Sequence, residues 1–122
     1  VAGAISVIDK NSPIDIYMGI GGGPEGVLAA AALSCLGGQI QTRLVLNEEE
    51  KKRTNSFGIK DINKKYNIEE LIKGDVVFCA TGVTDGDILN GIKVSEKDFE
   101  ASTFVLHKSS NINKKVKNLH KI

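Results

Sequence analysis

"IDIYMGIGGGPEGVLAAAALSCL", Ile14 to Leu36, decides the fold, because three patterns follow one another in it without a break. Ile14, Ile16, Met18 and Ile20 alternate with Asp15, Tyr17 and Gly19, which is the two-residue period of a strand. The glycines from Gly19 to Gly23 then predict a turn. From Pro24 onward an alanine-rich run predicts a helix closed by Gly37, with proline suited to the first turn and alanine to the interior. That helix is apolar nearly all round, so it is expected to be buried.

Outward from this unit the alternation continues. "VAGAISVIDK" reads as a helix remnant, "QIQTRLVL" as a second strand and "NEEEKKRTNSFG" as a solvated helix. In the last of these Asn47 caps and Glu50 stands three residues on, while Glu48 with Lys52 and Glu49 with Arg53 sit at helical pairing distance. "NIEELIKG" predicts a short helix capped by Asn67 and stopped by Gly74. "DVVFCATGV" is a continuous apolar run, expected as a central strand covered on both faces. "TDGD" reads as a turn, Ile92 to Val94 as a short extended piece, and "TFVLHKSS" and "KKVKNLHKI" as two closing strands. Strands alternating with helices predict an α/β fold, a layered and largely parallel sheet flanked by helices, with residues 1–122 forming one domain.

Bulk properties narrow the function classes. With 16 basic against 15 acidic side chains the net charge is +1, which recruits neither nucleic acid nor a membrane surface. The nearly uncharged stretch Val27 to Leu36 is half of the roughly 20 residues needed to cross a bilayer. Cys35 and Cys79 lie in apolar segments at no metal spacing, so both are expected as buried reduced thiols in a reducing, cytoplasmic compartment. The chain has no initiator methionine and reads as beginning partway into something larger.

"GIGGGPEG" carries the chemistry. Glycine lets the backbone approach a phosphate closely, and the first amides of the following helix offer unpaired donors. Glu25 in that first turn has two explanations: favourable contact with the helix dipole, or a carboxylate that reaches a phosphate through a divalent cation such as Mg²⁺ or Mn²⁺. A rival comes from the same residues. Gly21, Gly23 and Gly26 satisfy G-x-G-x-x-G, and Glu48 lies 22 residues beyond Gly26, which suits a Rossmann-like nucleotide-binding module without catalysis of its own. Against it, Glu25 places negative charge where a pyrophosphate would lie.

The segment Ile14 to Leu44, together with "VAGAI", "GDVVFCATGVTDGDILNGIK" and "TFVLHKSS" in the same order, resembles the class II fructose-1,6-bisphosphatases of the GlpX type over essentially the whole chain. Gly23 departs from that pattern, where alanine is usual. The resemblance implies the C-terminal domain of the sugar-phosphatase or inositol monophosphatase-like fold, and hydrolysis of the 1-phosphate of fructose 1,6-bisphosphate with Mn²⁺ or Mg²⁺ in gluconeogenesis. It implies Glu25 as a metal ligand and Gly22 as a substrate contact, with no catalytic residue beyond these in this chain. It further implies a homo-oligomer and an N-terminal part of the same enzyme carrying the remaining metal ligands, so that residues 1–122 alone are expected to be inactive.

Other polar residues have structural explanations. Asp85 and Asp87 fit an aspartate-glycine turn, and Arg43 fits a surface position. Thr81 and Thr84 are expected as lining residues at most. His107 and His120 have no cysteine or acid partner at ligand spacing and are expected as exposed strand residues, and the lysines of the tail as a solvated edge.

Overall fold

Gly23–Leu36 forms the longest helix, α2, and the rest of the fold is arranged around it in a computed structural model that describes residues 1–122, the side chain of Asn55 aside. The helix ends as its sequence requires. Gly37 takes a left-handed φ of 74°, its N–H bonds back to Leu33, and the Gly38 N–H meets the same carbonyl at 2.9 Å. A short helix α1 (Ala2–Ser6) precedes α2, and β1 (Gln41–Arg43), α3 (Glu48–Ser56), β2 (Lys65–Asn67) and α4 (Ile68–Leu71) follow it. The last third holds β3 (Val77–Thr81), β4 (Lys93–Val94), β5 (Asp98–His107) and β6 (Ile112–Lys121).

The α/β class holds, but the sheet is antiparallel and not largely parallel. β5 is the hub, pairing antiparallel with β3, β4 and β6, while β1 and β2 form a separate antiparallel pair. The reason lies in the connections. A parallel pair needs a crossover of a dozen or more residues, usually a helix. The helices of this chain all precede β3, and residues 82–97 contain none, so the strands of the last third fold back on one another. β5 and β6 are joined by the turn at 108–111, where Asn111 adopts a φ of 51°, a conformation asparagine tolerates.

Two further expectations change. β3 is an edge strand, with Phe78 buried but Val77 and Cys79 on an uncovered face. Cys79 is therefore exposed; Cys35 is half-buried, its thiol 3.6 Å from the Val76 carbonyl and its pKa pushed up by burial. Residues 14–20 form no strand among the described residues, and their alternation is that of an extended segment without a sheet.

Packing follows from residue size. Four small side chains let α2 lie close to its neighbours: Ala32 faces Ile5, Phe78, Phe104 and Leu106 on the sheet side, and Ala29 with Leu33 faces Ala4 and Ile68 on the other. Leu33 and Leu106 are fully buried, each contributing about 2 kcal/mol through the apolar area removed from water. The α3 cap forms as its sequence indicates. The Asn47 N–H donates to Glu50 Oε2 at 2.8 Å and the Glu50 N–H to Asn47 Oδ1 at 2.9 Å. Glu48, however, pairs with Lys51 at 2.6 Å instead of Lys52. The α4 helix begins after Asn67 as expected but ends at Leu71, short of Gly74.

Candidate metal and phosphate site

The mouth of α2 brings Gly22 and Glu25 into direct proximity. Gly22 is the N-cap with φ −66° and ψ 150°, Pro24 is the second helical residue, and Glu25 the third. The first intrahelical bond runs from the Gly26 N–H to the Gly22 carbonyl at 3.1 Å. The amides of Gly23 and Glu25 are thus orphan donors at a positive dipole end, and no side chain caps them.

The side chain of Glu25 turns back over the N-cap. A Cβ built on Gly22 would fall onto Glu25 Oε2, so glycine at 22 is what leaves room for the carboxylate. Gly21, Gly23 and Gly26 border open space, where an added Cβ meets nothing within 4 Å. None of the glycines from 19 to 26 takes a positive φ. Their contribution here is therefore close approach of the backbone, and not an unusual turn geometry.

The donor set fits a hard cation in part. One carboxylate supplies at most two of the six or so oxygens that Mg²⁺ or Mn²⁺ takes. Among the described residues no group of three or more acidic, histidine or cysteine side chains is gathered anywhere.

The other polar candidates have partners or positions of their own. Asp85 Oδ1 accepts the Gly91 N–H at 2.8 Å, which ties a turn in which Gly82 and Gly91 touch neighbouring backbone. Asp87 is exposed in the same turn. Thr81 meets Thr103 across β3 and β5 at 2.9 Å, and Arg43 stands opposite Lys65 in the small β1–β2 pair. Thr84 is exposed in the turn that Gly91 abuts. His120 stacks on Phe99 with centroids 4.9 Å apart.

His107 is half-buried and not exposed as expected, and it meets an acid brought from far along the chain. Its Nε2 lies 2.8 Å from Asp75 Oδ2, and Ser109 Oγ lies 2.6 Å from the same oxygen and 3.2 Å from the same nitrogen. Hydrogen bonds from Ser109 and then His107 hold the Asp75 carboxyl well below the usual carboxylate range. A nucleophilic triad needs the imidazole to face serine with one nitrogen and aspartate with the other. Here one nitrogen faces both and the serine proton goes to the carboxylate, so the cluster is a clamp between the start of β3 and the β5–β6 turn. Asp75 and His107 are 32 residues apart, and no local spacing signals their meeting.

The dinucleotide alternative requires a strand entering the glycine loop and a parallel partner strand after the helix. Residues 14–20 form no strand, and every strand pairing among the described residues is antiparallel.

Comparison with known proteins points to one family. The description "Bacterial fructose-1,6-bisphosphatase, glpX-encoded" matches residues 1–120. Fructose-1,6-bisphosphatase 2 class 2 of Escherichia coli K12 is 34% identical over 121 residues, which is 87% of this chain and 37% of the relative. Fructose-1,6-bisphosphatase class 2 of Haemophilus influenzae is 34% identical over 135 residues, covering 98% of this chain and 40% of its own length. A D-fructose 1,6-bisphosphatase class 2/sedoheptulose 1,7-bisphosphatase of Synechococcus is 34% identical over 134 residues, with 98% and 39% covered. The chain thus spans about two fifths of the curated relatives it matches, in their C-terminal part.

Proposed function

The chain belongs to the glpX-encoded bacterial fructose-1,6-bisphosphatase family, and we propose that it supplies the glycine-rich, Glu25-bearing wall of a metal-dependent sugar bisphosphatase site. The reaction is hydrolysis of the 1-phosphate of fructose 1,6-bisphosphate, giving fructose 6-phosphate and phosphate in gluconeogenesis.

One observation carries this reading: the Glu25 carboxylate is folded over Gly22, beside the free amides of Gly23 and Glu25. An anion approaching those amides meets two donors and one acceptor-only group. A cation between carboxylate and phosphate removes the conflict. Glu25 would hold Mn²⁺ or Mg²⁺ through its oxygens, Gly22 would let the substrate phosphate approach, and the two amides would donate to phosphoryl oxygens. The chemistry such an ion supplies when bound is polarisation of the phosphoryl group and activation of water.

One carboxylate is too few for a catalytic cation, so the remaining ligands come from the N-terminal part of the same enzyme, and residues 1–122 alone are expected to show no turnover. The enzyme is expected to be cytoplasmic and homo-oligomeric. No helix among the described residues is long and apolar enough to cross a membrane.

The test is Glu25→Gln in the full-length enzyme. Turnover is expected to fall about 100-fold or more, with the concentration of Mn²⁺ needed for half activity rising, because an amide oxygen is a poorer ligand than a carboxylate. Unchanged turnover and metal dependence would return Glu25 to the role of a helix-dipole residue.

A further inference from the structure

The 15 residues from Ile14 to Leu28 carry seven of the 17 exposed large apolar side chains, so the apolar surface is concentrated in one stretch. Ile16 is 70% exposed, Met18 82% and Ile20 85%, at alternating positions of the segment. Between them Tyr17 is 58% exposed, its ring edge covering Gly3 of α1. Val27 and Leu28, in the first turns of α2, are exposed as well. Isolated exposed apolar residues need no explanation, whereas seven within one 15-residue stretch are accounted for by a covering partner.

The backbone is unpartnered as well. Ile14 donates its N–H to Ser12 Oγ at 3.3 Å, and the N–H groups of 15–20 make no hydrogen bond among the described residues. Seven residues with a strand's alternation, β-branched side chains at 14, 16 and 20, no positive φ and both edges open match a strand that has lost its sheet.

We propose that residues 14–20 dock as a β-strand onto an apolar-faced sheet edge in the N-terminal portion of the class 2 fructose-1,6-bisphosphatase chain. The occupant follows from two facts. More than half of each relative's length lies outside the matched C-terminal part, so a body large enough to supply a sheet is available there. The segment also runs directly into Gly22 and Glu25, so pairing it would place the mouth of α2 against that same body. The inference rests on family membership and on the open backbone, and not on Glu25 as a ligand.

Amide exchange tests it, comparing the 122-residue chain with the same chain joined to the E. coli relative in place of that protein's own matched segment. The amides of 15–20 are expected to exchange about 100-fold or more slowly in the joined protein than in the chain alone. Met18→Pro, which removes a ladder donor, is expected to abolish that protection in the joined protein and to leave the melting temperature of the chain alone unchanged. Met18→Thr, which keeps the donor, is expected to retain the protection within tenfold. Fast exchange at 15–20 in both forms overturns the proposal. So does protection in the chain alone at the mass of a dimer, which would make a second copy the occupant, or protection that survives Met18→Pro. None of these readouts depends on turnover, so failure here leaves the Glu25 test standing, and failure there leaves this one.

Discussion

Replacing Gly22 with alanine separates the position of the Glu25 carboxylate from the stability of the helix that carries it. The backbone at 22, φ −66° and ψ 150°, is open to any L residue, so alanine introduces no strain. Two small effects on stability oppose each other. Alanine is a poorer N-cap than glycine by about 0.5 to 1 kcal/mol, and it restricts the unfolded chain by about 0.4 to 1 kcal/mol. The net change is therefore expected within about 0.5 kcal/mol, a shift of a few degrees at most in a thermal melt. The effect on the site is not balanced in this way. The new Cβ falls on Glu25 Oε2, the far end of a flexible side chain, which moves aside at little energetic cost. A misplacement of about 1 Å in a positioned catalytic group can lower turnover about 100-fold. The assay is metal-dependent release of phosphate from fructose 1,6-bisphosphate by the full-length enzyme, with a melt of the same preparation. Loss of turnover with an unchanged melt is expected. Turnover within twofold of the parent, in a folded protein, would refute the link between Gly22 and the carboxylate.

Three other outcomes follow from the packing. Gly91→Ala would bring a Cβ to 2.7 Å from the Thr84 backbone carbon, so it is expected to destabilise by about 1 to 3 kcal/mol in urea titration; a change under 0.5 kcal/mol would contradict the tight 82–91 turn. Ser102 is buried and its Oγ has no partner among the described residues, so Ser102→Ala is expected to hold or raise stability by up to about 1 kcal/mol, and a clear loss in the same titration would reveal a bond to that hydroxyl. The Asp75 carboxyl has a folded pKa below its ordinary value, so its contribution is present above about pH 4 and is lost as pH falls toward the folded value. The gap in melting temperature between the parent and Asp75→Asn is therefore expected at pH 7 and narrowed at pH 3; an equal gap at both would remove the clamp's electrostatic role.

Local signals were legible and long-range pairing was not. The Gly37 stop and the Asn47–Glu50 cap were readable because each depends on residues within a few positions of one another, and the closing β5–β6 strands because each carries its own strand pattern. The direction of the sheet was misread because helix and strand alternate only up to β3, after which the chain turns back without a crossover helix. The central position expected for Val77–Thr81 rested on hydrophobicity, but apolar side chains on both faces show that a strand is suited to cover and not that cover is present. The same holds for Ile14 to Ile20, whose alternation is written in the sequence while its pairing partner is not. At the candidate site, Gly22 and Glu25 are assigned by motif and resemblance. Their mutual fit, a carboxylate occupying the space that a side chain at 22 would fill, needed coordinates.

The most direct measurement is anomalous diffraction at the manganese edge from crystals of the full-length enzyme with Mn²⁺ and fructose 1,6-bisphosphate. A Mn²⁺ peak about 2.1 Å from a Glu25 carboxylate oxygen, with the 1-phosphate on the amides of Gly23 and Glu25, is expected. Manganese bound entirely by other residues, with Glu25 turned to solvent, would contradict the role assigned to it.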